Sequence, residues 1–199
     1  MTRHQEGYIY RKGSWWYVRF YDSVVQGDGS IKRVQVARRV APFCEQYHSK
    51  RAVIPLAEEF LLPLNNGTLT PESTMMLGLF VKETYLPHVA TQKRASTYKG
   101  YKEIWNEYLE PRCCDVRLRE FRTCDGEKLL AEIARQRVLS RNSLKHIKSL
   151  LSGVFKHAKR IGTLNGTNPM QDVSIPKAAE GQETYAYSLE EVTNERYII

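Results

Sequence analysis

Residues 140–162 read SRNSLKHIKSLLSGVFKHAKRIG. Apolar side chains recur at Leu144, Ile147, Leu151, Val154, Ala158 and Ile161, the spacing of a single helix face. The positions between them hold Arg141, Lys145, Lys148, Lys156, Lys159 and Arg160. Ser140 or Asn142 is placed to cap the start, and Gly162 stands where a C-terminal glycine belongs. The stretch therefore predicts an amphipathic helix, oily on one side and positive on the other. From Arg135 to Gln171 there is no acidic residue. Solvated helix faces usually mix signs, because i,i+4 ion pairs support the helix. A face of one sign instead suits a polyanion.

Working outward, the flanking segments read as further helices. Leu77, Phe80, Val81 and Tyr85 predict one that ends before Pro87. Ser96 is a fair N-cap for a second, with Tyr98, Tyr101, Ile104, Trp105, Tyr108 and Leu109 as its apolar set and Pro111 as its stop. Leu118 and Phe121 lie in the next connection. Asp125 is a credible cap for a third helix carrying Leu129, Leu130 and Ile133. After the basic helix, Asn168-Pro169 and Ile175-Pro176 read as extended. Residues 74–178 are thus expected to form an all-helical, four-helix module.

The chain's beginning has a different period. Tyr8 to Tyr10, Trp15 to Tyr21 and Ile31 to Val36 are aromatic and β-branched, separated by Lys12-Gly13 and by Gly27-Asp28-Gly29-Ser30. Alternation puts Trp16, Val18 and Phe20 on one face and Trp15, Tyr17, Arg19 and Tyr21 on the other. The aromatic set as a whole is expected to pack against a following helix from about Ser49 to Leu62, kinked or split at Pro55. The expected fold class is α+β: a three-stranded antiparallel meander with a covering helix (1–64), a linker (65–73), the helical module (74–178), then a linker and a remnant of something further (179–199).

The chain has 199 residues, a formal charge of +8 and 42% hydrophobic residues. That composition is enough for packed cores, and a charge of this sign favours nucleic acid or an anionic membrane surface. No apolar run is long enough to span a bilayer, and neither a signal-peptide core nor a lipidation signal is seen, so the expected compartment is the cytoplasm. The cysteines, Cys44, Cys113, Cys114 and Cys124, lack a zinc spacing and read as free thiols.

The order of signals resembles a known family. Ser96-Thr-Tyr98, Leu150-Leu-Ser-Gly-Val-Phe155 with Ala158 and Ile161-Gly162, then Asn168-Pro169 and Val173-Ser-Ile-Pro-Lys177 look like the core-binding domain of phage-type tyrosine recombinases, the integrases, over roughly 77–177. Gly7 to Phe20, with the Gly-Asp-Gly turn and Lys32-Arg33, is similar to the three-stranded N-terminal domain of many integrases. The resemblance implies a small bundle that clamps one side of DNA at a crossover site, and a sheet that enters the major groove elsewhere. In the family a separate catalytic domain supplies Arg, Lys, His-x-x-Arg and a nucleophilic Tyr. It would begin near Thr184 to Val192, and only its first helix fits before Ile199.

Candidate contacts follow from charge and helix starts. Lys145, Lys148, Lys156 and Lys159 form the basic face, with Arg141, Asn142 and Ser143 at a helix start whose N–H groups could meet a phosphate. Lys93, Arg94, Ser96, Thr97, Lys99 and Lys102 form a second cluster. On the sheet, Arg11, Arg19, Lys32, Arg33 and Gln35 could reach a groove, as could Arg38 and Arg39. His157-Ala-Lys-Arg160 formally matches His-x-x-Arg but lies upstream of Asn168-Pro169, and reads as an exposed polar pair on a helix. Tyr197 lacks the cations that would activate it. The expected partner is double-stranded DNA, with other recombinase subunits joining on it. No cofactor, metal, small-molecule substrate or membrane partner is expected, and no catalysis by this chain. Two alternatives stay open: a complete recombinase subunit with unrecognised chemistry, and a stand-alone regulator or RNA-binding module.

Overall fold

The computed structural model describes residues 4–177. The linker and catalytic-domain remnant expected over 179–199, Tyr197 included, fall outside those residues.

Three strands form an antiparallel meander: β1 (Tyr8–Lys12), β2 (Trp15–Val25) and β3 (Ile31–Pro42), with β2 central. The strands outrun the sequence reading because alternation continues through Asp22 and Val24 and through Arg38 and Val40. A bulge lies between Trp16 and Tyr17, which face Ala41 and Arg39, so Val40 is the extra residue on β3. Helix α1 (Lys50–Asn65) crosses the face made by Ile9, Trp16, Val18, Phe20 and Ala41, burying Val53, Ala57 and Leu61 against them. Ser49 caps it, and Pro55 and Pro63 sit within a single helix rather than dividing it. Period-two side chains and a three-turn apolar stripe thus close one small core.

The second core belongs to four helices: α2 (77–92), α3 (95–113), α4 (Thr123–Gln136) and α5 (Arg141–Arg160). Two expected stops are corrected here. α2 runs through Pro87 to Gln92, and α3 runs through Pro111 to Cys113. Each proline follows a π-helical turn, Val81–Tyr85 in α2 and Trp105–Leu109 in α3. The wider turn relieves the clash between the proline ring and the carbonyl four residues back, and the missing N–H falls where the bonding pattern is already changing. Two caps move as well. Arg94, not Ser96, holds the cap position of α3, and Ser96 lies in the first turn. Arg122 holds the cap position of α4, and Asp125 reaches back one turn to accept from the Arg122 N–H at 2.9 Å.

α5 is the helix the opening stretch predicts. The Ser140 hydroxyl accepts from the Ser143 N–H at 3.1 Å, and Gly162 follows with φ +77°, a conformation that favours glycine. Leu144, Ile147, Leu150, Leu151, Val154, Phe155 and Ala158 are all buried. Ile161 is not; it lies past the helix end and is 48% exposed. Pro169 to Asp172 makes a turn instead of an extended run, fixed by Asn168, whose side chain accepts from Met170 N–H and donates to Ser152. The turn drops Met170 and Val173 against Gly126 of α4, where a Cβ would lie 2.7 Å from the Met170 sulfur.

Sheet and bundle meet along a seam. Asp22 on β2 pairs with Arg119 from the short turn Leu118–Glu120, and Arg38 on β3 pairs with Glu120. The Val25 N–H donates to Thr74 Oγ1 at 2.7 Å, and Thr70 Oγ1 donates to the Thr163 carbonyl at 3.0 Å. Ser73 and Thr74 are buried in consequence. No helix among the described residues is long and apolar enough to cross a membrane.

Candidate nucleic-acid interface

The outer face of α5 repeats Arg141, Lys145, Lys148, Ser152, Lys156 and Lys159 at steps of three and four residues, so these lie in one stripe. At 1.5 Å per residue the stripe is about 27 Å long. Between the lysines stand Ser149, Ser152 and Gly153, whose small side chains leave a trough. Gly153 is needed there: a Cβ would come within 2.5 Å of the Tyr85 hydroxyl. Tyr85, its pKa pushed up to about 12 by burial, keeps its proton and serves as wall.

The trough opens into a cleft of about 960 Å³ between α5, the end of α2 and the turn after Asn168. Lys93, Lys145, Lys148, Lys156, Lys159 and Arg160 line it together with Tyr85, Val89, Tyr101, Met170 and Ile175. No carboxylate is among the lining residues. The ion pairs of the described residues are Arg38–Glu120, Lys82–Glu110, Arg112–Glu132, Arg119–Asp22 and Arg137–Glu107. None uses a basic residue of α5 or of 93–102.

The expected contacts divide. Lys145, Lys156 and Lys159 are exposed on the stripe, as is Arg141 at its start. Lys148 is half-buried, and its ammonium donates to the Val173 carbonyl at 2.6 Å, so it staples the final turn to α5 and is not a free contact. The Ser143 N–H is taken by Ser140, leaving Arg141 and Asn142 as the open end of the helix. Lys93 reaches the cleft from the end of α2. Arg94, Ser96, Lys99 and Lys102 are exposed and Thr97 half-exposed at the start of α3, while Tyr98 and Tyr101 pack on the core as expected.

On the sheet, register sorts the candidates. Tyr8, Tyr10, Trp15, Tyr17, Arg19, Tyr21, Arg33, Gln35 and Arg39 share the face away from α1. Arg11 and Lys32 do not: Arg11 pairs with Trp16 and Lys32 with Val24, both on the helix side. Arg11 lies over the Phe43 ring at 3.7 Å. Arg38 is on that side also, held by Glu120. Parity along each strand carried this signal, since Arg11 stands two residues from buried Ile9. The expectation that all the aromatics pack on α1 is corrected in the same way. Trp16 and Phe20 do, whereas Trp15 and Tyr17 are half-exposed and Tyr21 is 46% exposed. Arg19 covers Tyr10, Arg33 covers Tyr21 and Arg39 covers Trp15, at 4.4–4.9 Å. Such cation–π contacts hold the guanidiniums upright over an aromatic floor.

One group near the cleft escaped the sequence reading. His157 is 8% exposed, not the exposed polar residue expected. Its ring stacks on that of His88, from α2, with centroids 4.2 Å apart. Arg160 Nη2 donates to His88 Nε2 at 2.8 Å and to His157 Nδ1 at 2.9 Å. Burial first, then the nearby His88 and Arg160, hold His157 below its ordinary pKa. His88 is 69 residues from His157 in sequence, so no local pattern announces the pair.

No protein-family model matches the chain, and no curated protein does. Among solved structures, the chain is similar to the integrase-like domain from Bacillus cereus, determined by NMR in solution. The two are 16% identical with a TM-score of 0.48, over 58% of this chain and 98% of that one.

Proposed function

We propose that the chain binds double-stranded DNA and does so within site-specific recombination, as a DNA-holding unit that makes no strand transfer of its own. The observation that carries the binding is the carboxylate-free cleft beside a stripe of lysines that form no ion pair among the described residues. A stripe of about 27 Å follows roughly eight base pairs of duplex at 3.4 Å each. Recombination rests on the resemblance of 77–177 to integrase core-binding domains. The open sheet face supplies Arg19, Arg33, Gln35 and Arg39 as a second contact, and further recombinase subunits would join on the same DNA.

Lys145→Glu with Lys156→Glu tests the stripe; Lys148 is left intact because it holds the final turn. Binding to duplexes of any sequence should weaken, and the slope of log K against log salt should fall by about 0.9 for each phosphate no longer neutralised. Unchanged affinity and slope would remove the stripe from the interface. A suicide duplex substrate should trap no covalent adduct. A second reading, RNA or single-strand binding, is favoured by the aromatic floor of the sheet, because exposed rings stack on unpaired bases. Competition between duplex DNA and structured RNA separates the two.

A further inference from the structure

Arg160 lines the cleft, and its guanidinium is anchored by donating to two imidazoles at once. A guanidinium only donates, so both acceptor nitrogens are unprotonated in this arrangement. His88 then carries its proton on Nδ1 and His157 on Nε2. The anchor fixes the planar fork and leaves its other N–H groups for a ligand. Forks of this kind suit phosphate oxygens, which accept two parallel bonds.

Among the described residues the groups around the cluster supply no ion pair to it. From α2 come His88 itself, Tyr85, whose ring lies 5.8 Å from that of His157, and Lys93 further along; from α3 comes Tyr101; from α5 come Lys156 and Lys159. No carboxylate lines the cleft. An anion entering there is the missing countercharge. By Coulomb's law it favours the charged form of any imidazole beside it.

We infer that Arg160, His88 and His157 form a phosphate site at the α2 side of the cleft, and that this site takes up a proton when it takes up its anion. This rests on the duplex-binding reading and names one phosphate contact within it. Proton uptake at either ring ends its acceptance from Arg160. Imidazolium and guanidinium then both donate to the phosphate instead of to one another. The lowered His157 pKa fits this arrangement, since the free protein disfavours the charge that the ligand restores.

The test uses the full chain and a short duplex of fixed sequence. Affinity should tighten about tenfold per pH unit for each proton fully taken up, between pH 7.5 and 5.5. His88→Gln with His157→Asn keeps an oxygen acceptor near each anchoring nitrogen. It should lose the acid-side tightening, its log K changing less steeply with pH than that of the unmodified protein. Arg160→Ala should weaken binding throughout the range. Because His157 is buried, a second measurement uses the unmodified protein: both imidazole C2–H resonances are titrated by NMR with and without duplex, and their midpoints should move to higher pH in the complex. An equal pH slope in the double variant, or midpoints that ignore the duplex, overturns the site. If duplex binding itself survives Lys145→Glu with Lys156→Glu unchanged, it is the stripe that fails. If those lysines matter but the histidine midpoints stay fixed, the proton-coupled site alone fails.

Discussion

Removing the Arg119 side chain should destabilise the protein more than removing the whole pair it belongs to. Asp22 sits on the α1 side of β2, between Phe20 and Val24, with its side chain 2% exposed. Arg119 is 12% exposed and presents two nitrogens to the two carboxylate oxygens. Arg119→Met keeps most of the volume but strands a buried carboxylate. Breaking one side of such a pair costs about 3–5 kcal/mol. For a chain of this size each kcal/mol moves the midpoint by roughly 2–4 °C, so Tm should fall by roughly 6–20 °C. Asp22→Leu with Arg119→Met replaces both partners by apolar groups and should recover most of that loss. The neighbouring pair, Arg38 with Glu120, is 43% and 38% exposed, and Arg38→Ala should cost no more than about 1 kcal/mol. Thermal unfolding followed by circular dichroism, with urea midpoints as a check, measures all four proteins. A loss under about 1 kcal/mol for Arg119→Met, or a double variant no better than the single, would refute the claim that this pair holds the sheet to the bundle by burial.

Two further outcomes follow from α5. Gly153→Ala normally strengthens a helix by about 1 kcal/mol, but here the new Cβ meets the Tyr85 hydroxyl at 2.5 Å, so Tm should fall; adding Tyr85→Phe, which removes the obstructing oxygen, should restore it. His157 is held below its ordinary pKa in the folded state, so the unfolded chain binds more protons in the interval between the two values. Its contribution to stability is therefore complete above about pH 6.5 and is lost as pH falls through the folded value. Tm measured from pH 8 to pH 5 should decline accordingly, and His157→Gln should flatten that part of the curve.

Much of this architecture is legible in the sequence because two periods hardly overlap. Alternation places Trp16, Val18 and Phe20 under α1, and the spacing from Leu144 to Ala158 places α5's oily face inward. The prolines mislead for a definite reason. The rule that proline ends a helix assumes α geometry throughout, whereas Pro87 and Pro111 each follow a π turn. Each turn lets the chain carry its proline inside a longer helix, which the stop rule does not anticipate. The site is legible in charge and less so in geometry. The absence of acids around α5 is a sequence fact, and in the fold it becomes the carboxylate-free cleft. That Lys148 turns inward to Val173, and that Arg160 is held by His88, depends on segments brought together only by the closed fold.

The charge on α5 also has a cost that helps explain its burial. A helix with cations at Arg141, Lys145, Lys148, Lys156 and Lys159 forgoes i,i+4 support and adds repulsion along one face. Each omission is worth a few tenths of a kcal/mol, and several occur along a single helix. The helix is secured by other means: the Ser140 cap, cations in its last turn where the helix dipole favours them, and a continuous row of buried side chains from Leu144 to Ala158. Burying a single leucine or phenylalanine contributes about 1.5–3 kcal/mol, more than the missing surface pairs together. The inner face therefore makes the outer one possible. Because cap and packing fix the helix without surface ion pairs, its solvent side can hold a single sign of charge without acids to soften it, which is the condition a phosphate backbone would exploit.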